Sequence, residues 1–410
     1  MTPPPLVTFF VAAHNRRDVL LNTLVQVHHC GLAREQFETV VVDNASTDGT
    51  ADAVATSFPY VRLLRERVNR GPCAKNAGLA VARGRFIVFL DDDSFPAPGS
   101  VQQMIRHFEA DPRLGAAVFT ITLPDGSREC SAYPNVFIGC GTGFRARALR
   151  EVGGLPEDFF MAAEEYDLSL RLLAAGWDVR SFDDLHVSHL KTPTARSSSR
   201  VTRLDVRNNL TLIARYFPEK WVLPFALDWV RRYGMIAAAK GERAAHWRGF
   251  AEAVVRMIRG VDRRPLSDEV FEQFAKIDTI ESRLRRAQEQ HDFSTVLFVD
   301  LGKNVLPYWL AARRCGLRVV AIADARLGGH GHRYRGVPIV TDDRALGLPF
   351  DAAVVSNLSP VHAAQRRDHW RSIQSRPVID LFEAGGHEGE AFTSAAPAAS
   401  GSRRTVARTA

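Results

Sequence analysis

The chain has 410 residues, 46% of them hydrophobic and 24% charged. These are the proportions of a soluble globular protein, which excludes a fibrous or largely disordered one, and the length predicts two or three domains. The net charge of +7 is uneven: residues 1–190 carry 18 basic and 23 acidic residues, 191–264 carry 16 and 6, and 265–410 carry 19 and 17.

No apolar run reaches the roughly 18 residues of a bilayer-spanning helix. The longest candidate, Trp221 to Met235, is broken by Pro224, Asp228, Arg231 and Arg232, so no integral membrane protein is expected. The N-terminus has no basic n-region, so no secretory signal is expected either. The five cysteines at 30, 73, 130, 140 and 315 show no C-x-x-C spacing, as suits reduced thiols in a cytoplasmic protein.

In chain order, Val7–Val11 reads as a strand ending at His14-Asn15, and a helix follows from Asp18 to about Cys30 with Leu20, Leu21, Leu24 and Val27 on one side. Thr39–Val42 is a continuous apolar run, as expected of a buried parallel strand, and it ends at Asp43-Asn44. A helix begins near Thr50, a strand covers Tyr60–Leu64, and a helix covers Asn76–Ala82. The strand Arg85–Leu90 then runs straight into Asp91-Asp92-Asp93. This rhythm predicts an α/β fold with a largely parallel sheet, and ligands of such sheets gather beyond the carboxyl ends of the strands. His14-Asn15, Asp43-Asn44 and Asp91–Asp93 all fall there.

Further on, Lys191–Arg203 reads as a loop, rich in Ser, Thr and Arg. From Asp205 to about Arg259 the chain reads as helical, with Pro218 and Pro224 as breaks. Charged helices to Gln290 form a connector. A second α/β unit then has strands at Val296–Val299, Val319–Ile322, Ala352–Val355 and Val378–Leu381. The expected domains are 1–204, a helical basic extension at 205–292, a small Rossmann-like unit at 293–385 and a disordered tail at 386–410.

Three carboxylates closing a buried strand repel one another unless a cation sits between them, and a divalent hard cation with phosphate oxygens is the natural partner. Asp43 suits a base N–H or a ribose hydroxyl, while Asp48 suits a helix cap. The turn Asn69–Pro72, leading to Lys75, suits phosphate at a helix N-terminus. Glu164, Glu165 and Asp167 open an amphipathic helix. Adjacent carboxylates raise each other's pKa and can supply a general base, or they serve simply as acids at a helix N-terminus. His186 and His189 follow a short strand, and imidazole can complete a metal site made by carboxylates.

Taken together, from Leu6 to about Phe217, the chain resembles the family 2 glycosyltransferases. The resemblance rests on Ala12–Asn15, Val42–Thr50, Leu90–Asp93 with Pro96, Gly141–Phe144 with Val152–Leu155, Glu164–Asp167 and His189, in that order. It implies a GT-A fold and inverting, metal-dependent transfer from a nucleotide-diphosphate sugar to a saccharide or lipid-linked hydroxyl, in bacterial surface polysaccharide or glycolipid assembly. Asp93, Asp91 and His189 would hold Mn²⁺ or Mg²⁺. Ala13, His14, Asn15, Asp43, Asn44, Asn69, Lys75, Asp91 and Asp92 would bind the nucleotide sugar. Glu165 would be the catalytic base, with Glu164 and Asp167 positioning the acceptor and the helix. The chain departs from the family at Ala12 and His14, where Pro and an aromatic are usual, and at Glu165, where Asp is usual.

The basic 191–264 segment suits peripheral contact with the inner face of the cytoplasmic membrane, and no recognition motif accompanies the charge, so nucleic acid is not expected. In the C-terminal unit Gly302 stands alone where G-x-G-x-x-G would be needed, although Asp324 is placed like a ribose-binding acid. That unit reads as a docking or oligomerisation module, which leaves a homo-oligomer open. The alternative to an enzyme is a non-catalytic nucleotide-sugar-binding scaffold acting through the C-terminal unit. A nucleotidyltransferase would need a glycine-rich triphosphate loop, and Ala12–Arg17 has no glycine.

Overall fold

The computed structural model describes residues 4–191 and 198–383. Its first part runs β1 (Val7–Ala13), α1 (Arg17–His28), β2 (Phe37–Asn44), α2 (Thr50–Ser57), β3 (Arg62–Glu66), α3 (Lys75–Leu79), β4 (Phe86–Asp91), β5 (Ser94–Pro96), α4 (Ser100–Ala110), β6 (Leu114–Thr122), β7 (Arg128–Glu129), β8 (Thr142–Arg145), α5 (Ala146–Val152), α6 (Glu164–Ala174) and β9 (Asp178–His189). The strands form one sheet in the order β3-β2-β1-β4-β8-β6-β9-β5, with β7 paired to β6. Strands β1 to β4 are parallel, and β8 is antiparallel between β4 and β6.

All eight residues of β2 are buried, because helices cover both faces of the sheet. Phe9, Val11, Val41 and Val88 pack with α1 and α4, while Phe10, Val40, Ile87 and Phe89 pack with α5 and α6. The register sets Ala13 beside Asp43 and Ala12 beside Asp91. Three strand ends rich in polar residues therefore meet at one edge.

The middle of the chain is helical: α7 (Ser198–Tyr216), α8 (Glu219–Ala239), α9 (Arg243–Arg259), α10 (Asp268–Ala275) and α11 (Ile277–His291). Two expectations are corrected here. The expected loop at 191–203 is helical from Ser198, because Thr202 bonds Glu242 and Arg203 pairs with Glu252, both on the α9 side. Residues 192–197 lie outside the described residues. Pro218 does separate two helices, but Pro224 sits inside α8, where the buried Phe225 and Trp229 outweigh the missing backbone donor. A third correction concerns His186 and His189, which lie within the twelve-residue β9 rather than after a short strand.

The last part runs β10 (Thr295–Val299), α12 (Val305–Arg314), β11 (Arg318–Ala323), β12 (Arg333–Tyr334), β13 (Val337–Val340), α13 (Asp342–Leu346), β14 (Ala352–Val355), α14 (Pro360–Ile373) and β15 (Val378–Ile379). Its sheet has the order β12-β13-β11-β10-β14-β15. The expected tail at 386–410 lies outside the described residues.

The carboxyl end of β10 is packed against the rest of the protein. Trp229 Nε1 donates to Lys303 O at 2.9 Å, and Asn304 Nδ2 donates to Ala132 O at 2.6 Å. Lys303 is itself buried. Its Nζ donates to Asn209 Oδ1 at 2.6 Å and lies 3.5 Å from the Tyr166 ring centroid and 4.3 Å from that of Trp229. Asp324 is not free for a ribose, since its carboxylate accepts from the backbone N–H groups of Leu301, Arg326 and Leu327. One core runs from Tyr133 and Phe159 through Trp229 and Phe271 to Phe298 and Ile322.

Candidate active site

Two cavities open at the carboxyl edge of the first sheet. The larger, about 810 Å³, is lined by Ala13, His14, Asn15, Asn44, Asn69, Lys75, Asp91 and Asp92 among others. The smaller, about 220 Å³, is lined by Glu164, Glu165, Glu129, Cys140 and His189. Lys75 and Asp91 belong to both. Asp43, Asp93 and Asp167 are in neither lining.

The wall of the large cavity is a polar network that joins consecutive strand ends. His14 Nδ1 donates to Asn44 O at 2.9 Å, and Asn15 Oδ1 accepts from Thr47 N at 2.7 Å. Asn44 Nδ2 donates to Asn69 Oδ1 at 3.1 Å, and that oxygen also accepts from Gly71 N at 2.8 Å. Asp43 is buried, with its Oδ1 unpartnered. Asp48 accepts from the backbone N–H groups of Arg17 and Thr50, tying the starts of α1 and α2 together.

Lys75 is almost fully buried, and its Nζ donates to Asp91 Oδ1 and to Gly139 O, both at 2.9 Å. Its charge is therefore directed at Asp91 rather than into open solvent, a difference from the expected phosphate contact. The other two acids of the triplet share Arg16, which the sequence reading missed. Arg16 Nη1 pairs with Asp92 Oδ1 at 2.7 Å and Nη2 with Asp93 Oδ2 at 2.9 Å. Burial pushes Asp92 up to about 7, with Arg16 opposing. Burial acts the same way on Asp93, but the bonds from His189 and Arg16 outweigh it and hold the carboxyl well below the usual range.

His189 links the acids to a residue with no local sequence signal. Its Nδ1 donates to Glu129 Oε2 at 2.8 Å, while Nε2 lies 3.3 Å from Asp93 Oδ1. Burial opposes its charge, yet bonds with Asp93, Cys140 and Glu129 push it up to about 12. Asp91, Cys140 and His189 each place one ligand atom within 4.8 Å of the others. Burial pushes the Cys140 thiol up to about 11, so the hard donors here are carboxylate and imidazole. Asp91 and His189 offer an oxygen and a nitrogen donor, and Asp93 Oδ1 stands 3.3 Å from His189 Nε2; such donors suit a divalent cation, whose binding would release the His189 proton.

Glu164 and Glu165 begin α6 and face the small cavity. Burial raises Glu164 well above the usual range, and the charge of Glu165 adds to it; burial likewise raises Glu165. Glu164 Oε2 has no partner. A Cβ on Gly139 would stand 3.6 Å from Glu165 Oε1 and 3.9 Å from Lys75 Nζ. Asp167, grouped with them in the sequence, turns away. It accepts from Arg171 Nε at 2.8 Å, Arg215 Nη1 at 2.9 Å and Tyr216 Oη at 2.8 Å. This is an ion-pair network anchoring α6 to α7.

The segment before α6 is strained. Phe160, Ala162 and Ala163 have φ of 66°, 70° and 65°, a left-handed conformation costly for residues with a Cβ. Asn208 of α7 holds the segment, its Nδ2 donating to Phe159 O, Met161 O and Ala162 O at 2.8–3.0 Å. Phe160 and Met161 line the large cavity, as do Arg200 and Val201 at the start of α7. Gly71 (φ +60°) lies beneath, where a Cβ would come 2.5 Å from Phe160 O. Replacing Asn208 with Leu leaves Met161 O and Ala162 O without their side-chain donor, so ligand affinity at the cavities is expected to fall about tenfold, checked by titration against wild type.

Next to Glu129, Cys130 Sγ lies 2.8 Å from Ser359 Oγ, which in turn lies 3.2 Å from His362 Nδ1. Burial raises the thiol, but bonds with His362 and Ser359 outweigh it and lower it overall, whereas Cys30, Cys73 and Cys140 are raised by burial. Iodoacetamide followed by peptide mass spectrometry is expected to label Cys130 before those three. Equal labelling would mean the thiolate is not favoured.

Residues 8–153 match the model of glycosyl transferase family 2, and residues 127–216 that of glycosyl transferase family group 2. The chain is 43% identical over 119 residues to the succinoglycan biosynthesis protein ExoO of Rhizobium meliloti (strain 1021), which covers 27% of this chain and 33% of that protein. It is 27% identical over 199 residues to the pre-mycofactocin glycosyltransferase of Mycobacterium tuberculosis (strain CDC 1551 / Oshkosh), covering 40% of this chain and 41% of that one. The chain thus spans about a third to two-fifths of the length of these relatives. A solved structure of S. aureus TarS 1-349 in complex with UDP-GlcNAc overlaps with a TM-score of 0.47 at 14% identity, over 76% of this chain and 92% of that one.

Proposed function

Residues 8–153 of this chain are a family 2 glycosyltransferase domain, and from that premise we propose that the protein moves a sugar from a nucleotide-diphosphate donor to an acceptor hydroxyl with inversion. The observation that carries this is the junction of the two cavities at Asp91 and Lys75, with the half-buried Glu165 on the small side. A nucleotide in the large cavity would rest on the His14, Asn44 and Asn69 network, with Asp91 toward the ribose. The acceptor would enter the small cavity, where Glu165 takes the proton from its hydroxyl as the oxygen attacks the anomeric carbon from the face opposite the leaving diphosphate. Glu164, next to it, raises the basicity of the pair.

Asp91, Asp93 and His189 would hold Mn²⁺ or Mg²⁺, which when bound neutralises the departing diphosphate. Arg16 keeps Asp92 and Asp93 in place before the ion arrives. Lipid-linked or saccharide acceptors, contact of the basic middle segment with a membrane, and a part in surface polysaccharide assembly belong to the same proposal. ExoO is named for succinoglycan biosynthesis. Among the described residues no helix is long and apolar enough to cross a membrane.

The test is a melting-temperature panel of UDP, GDP, dTDP and their sugars with and without Mn²⁺. At a hundredfold excess over Kd, a bound donor stabilises by about 2.7 kcal/mol. The shift is expected for one nucleotide, to vanish with EDTA, to return with Mn²⁺, and to be lost in Asp93→Asn. No shift with any nucleotide would overturn the proposal.

A further inference from the structure

A third cavity, about 560 Å³, lies where α8 and α9 meet the β12–β13 hairpin, and it shares no lining residue with the other two. Four arginines line it, Arg231 from α8, Arg243 from the first turn of α9, and Arg333 and Arg335 from the hairpin, and no acidic residue does. Arg335 is partly engaged, 3.7 Å from Asp228 Oδ1, and Arg333 donates to Gly336 O. Arg231 and Arg243 are exposed.

The remaining lining is suited to a ligand with a second character. His246 is 4% exposed and its Nδ1 has no partner. Burial lowers its pKa, so it offers a neutral hydrogen-bonding ring. Gly234 faces it, where a Cβ would come within 3.4 Å of Nε2, so a side chain there would narrow the space above the imidazole. Trp247, 61% exposed, stands edge-on to His246 at 5.3 Å between ring centroids.

Guanidinium forks match phosphate oxygens two at a time, and four of them on one concave wall with no counter-charge in the lining call for an anion of more than one charge. The exposed indole, with Met235 and Ala238 in the lining, calls for an apolar body beside it. We infer that this cavity binds the phosphate or diphosphate headgroup of an amphiphile, with Arg231 and Arg243 as its main ligands and Trp247 against its apolar part. The site stands whether or not the transfer reading holds.

The test uses the full chain in EDTA buffer, so that a metal-dependent donor site is silent. Inorganic phosphate and pyrophosphate are titrated calorimetrically, and phosphatidylcholine vesicles with and without phosphatidic acid are tested by co-sedimentation. Wild type is expected to bind pyrophosphate and the phosphatidic acid vesicles. Arg231→Gln with Arg243→Gln is expected to lose about tenfold or more in both, with its melting temperature unchanged because both side chains are exposed. Trp247→Phe is expected to keep pyrophosphate binding and weaken the vesicles. Pyrophosphate binding without vesicle binding assigns the site to a soluble phosphate and overturns the lipid part. No binding by wild type, or equal binding by the double variant, overturns the site.

Discussion

Glu165→Gln is expected to lower kcat by roughly 10²–10⁴-fold, the range a positioned general base contributes, while the nucleotide-induced melting shift stays intact. Glutamine keeps the shape of the side chain and its place at the start of α6 but cannot take a proton. The same reasoning sets the pH profile. Burial raises Glu165, so the acid limb of kcat/KM should lie above the ordinary glutamate range, activity falling as pH drops through it. The sign for stability is opposite. A carboxyl whose folded pKa is raised contributes stability at low pH that is lost as pH rises through the folded value. Removing that ionisation should therefore make Glu165→Gln melt higher than wild type at neutral and alkaline pH. An enzyme that is slower but more stable is the signature of a group kept for chemistry. Undiminished turnover in Glu165→Gln would eliminate it as the base and revive the non-catalytic scaffold.

Asp167→Ala should behave in the reverse way. The carboxylate is 1% exposed and receives Arg171, Arg215 and Tyr216. Removing it leaves Arg171 with backbone acceptors only and Arg215 with Asp158 alone, and breaking a buried pair from one side costs about 3–5 kcal/mol. Urea unfolding at neutral pH measures this as a fall in midpoint. The turnover of the molecules that remain folded should drop far less than in Glu165→Gln. A stable Asp167→Ala with the kinetic defect of Glu165→Gln would return Asp167 to the chemistry.

The strand-end clusters were legible because a buried β-run that stops at His14, Asp43 or Asp91 has only one edge to deliver those groups to. The parallel register then sets them side by side. The partners of Asp167 were not legible because sequence spacing gives the face of α6 but not which groups wait on α7. Arg16 and Glu129 were missed for the same reason: their partners lie 76, 77 and 60 positions away. Phe160, Ala162 and Ala163 carry no glycine to mark a left-handed turn, and the groups that hold it, Asn208 and Arg207, lie far along the chain. Asp324 illustrates the converse. Its placement after β11 suits a ribose, yet the carboxylate closes its own turn and the start of the loop after β10.

Lys303 ties the C-terminal unit to the helix that carries Glu165. The amine at its tip, carried by the loop after β10, sits on the ring of Tyr166, one residue from Glu165, and burial lowers its pKa well below the usual lysine value. For anyone recombining such proteins, a seam at residue 292 would look natural on a map of the chain. Grafting a different C-terminal unit there would remove the amine from beneath Tyr166 and leave Asn209 Oδ1 without its donor. The parts of this protein are consecutive in sequence but not interchangeable. A unit exchanged in the course of evolution would have had to bring its own plug for that hole, so the loop after β10 is where compensating changes should be sought first.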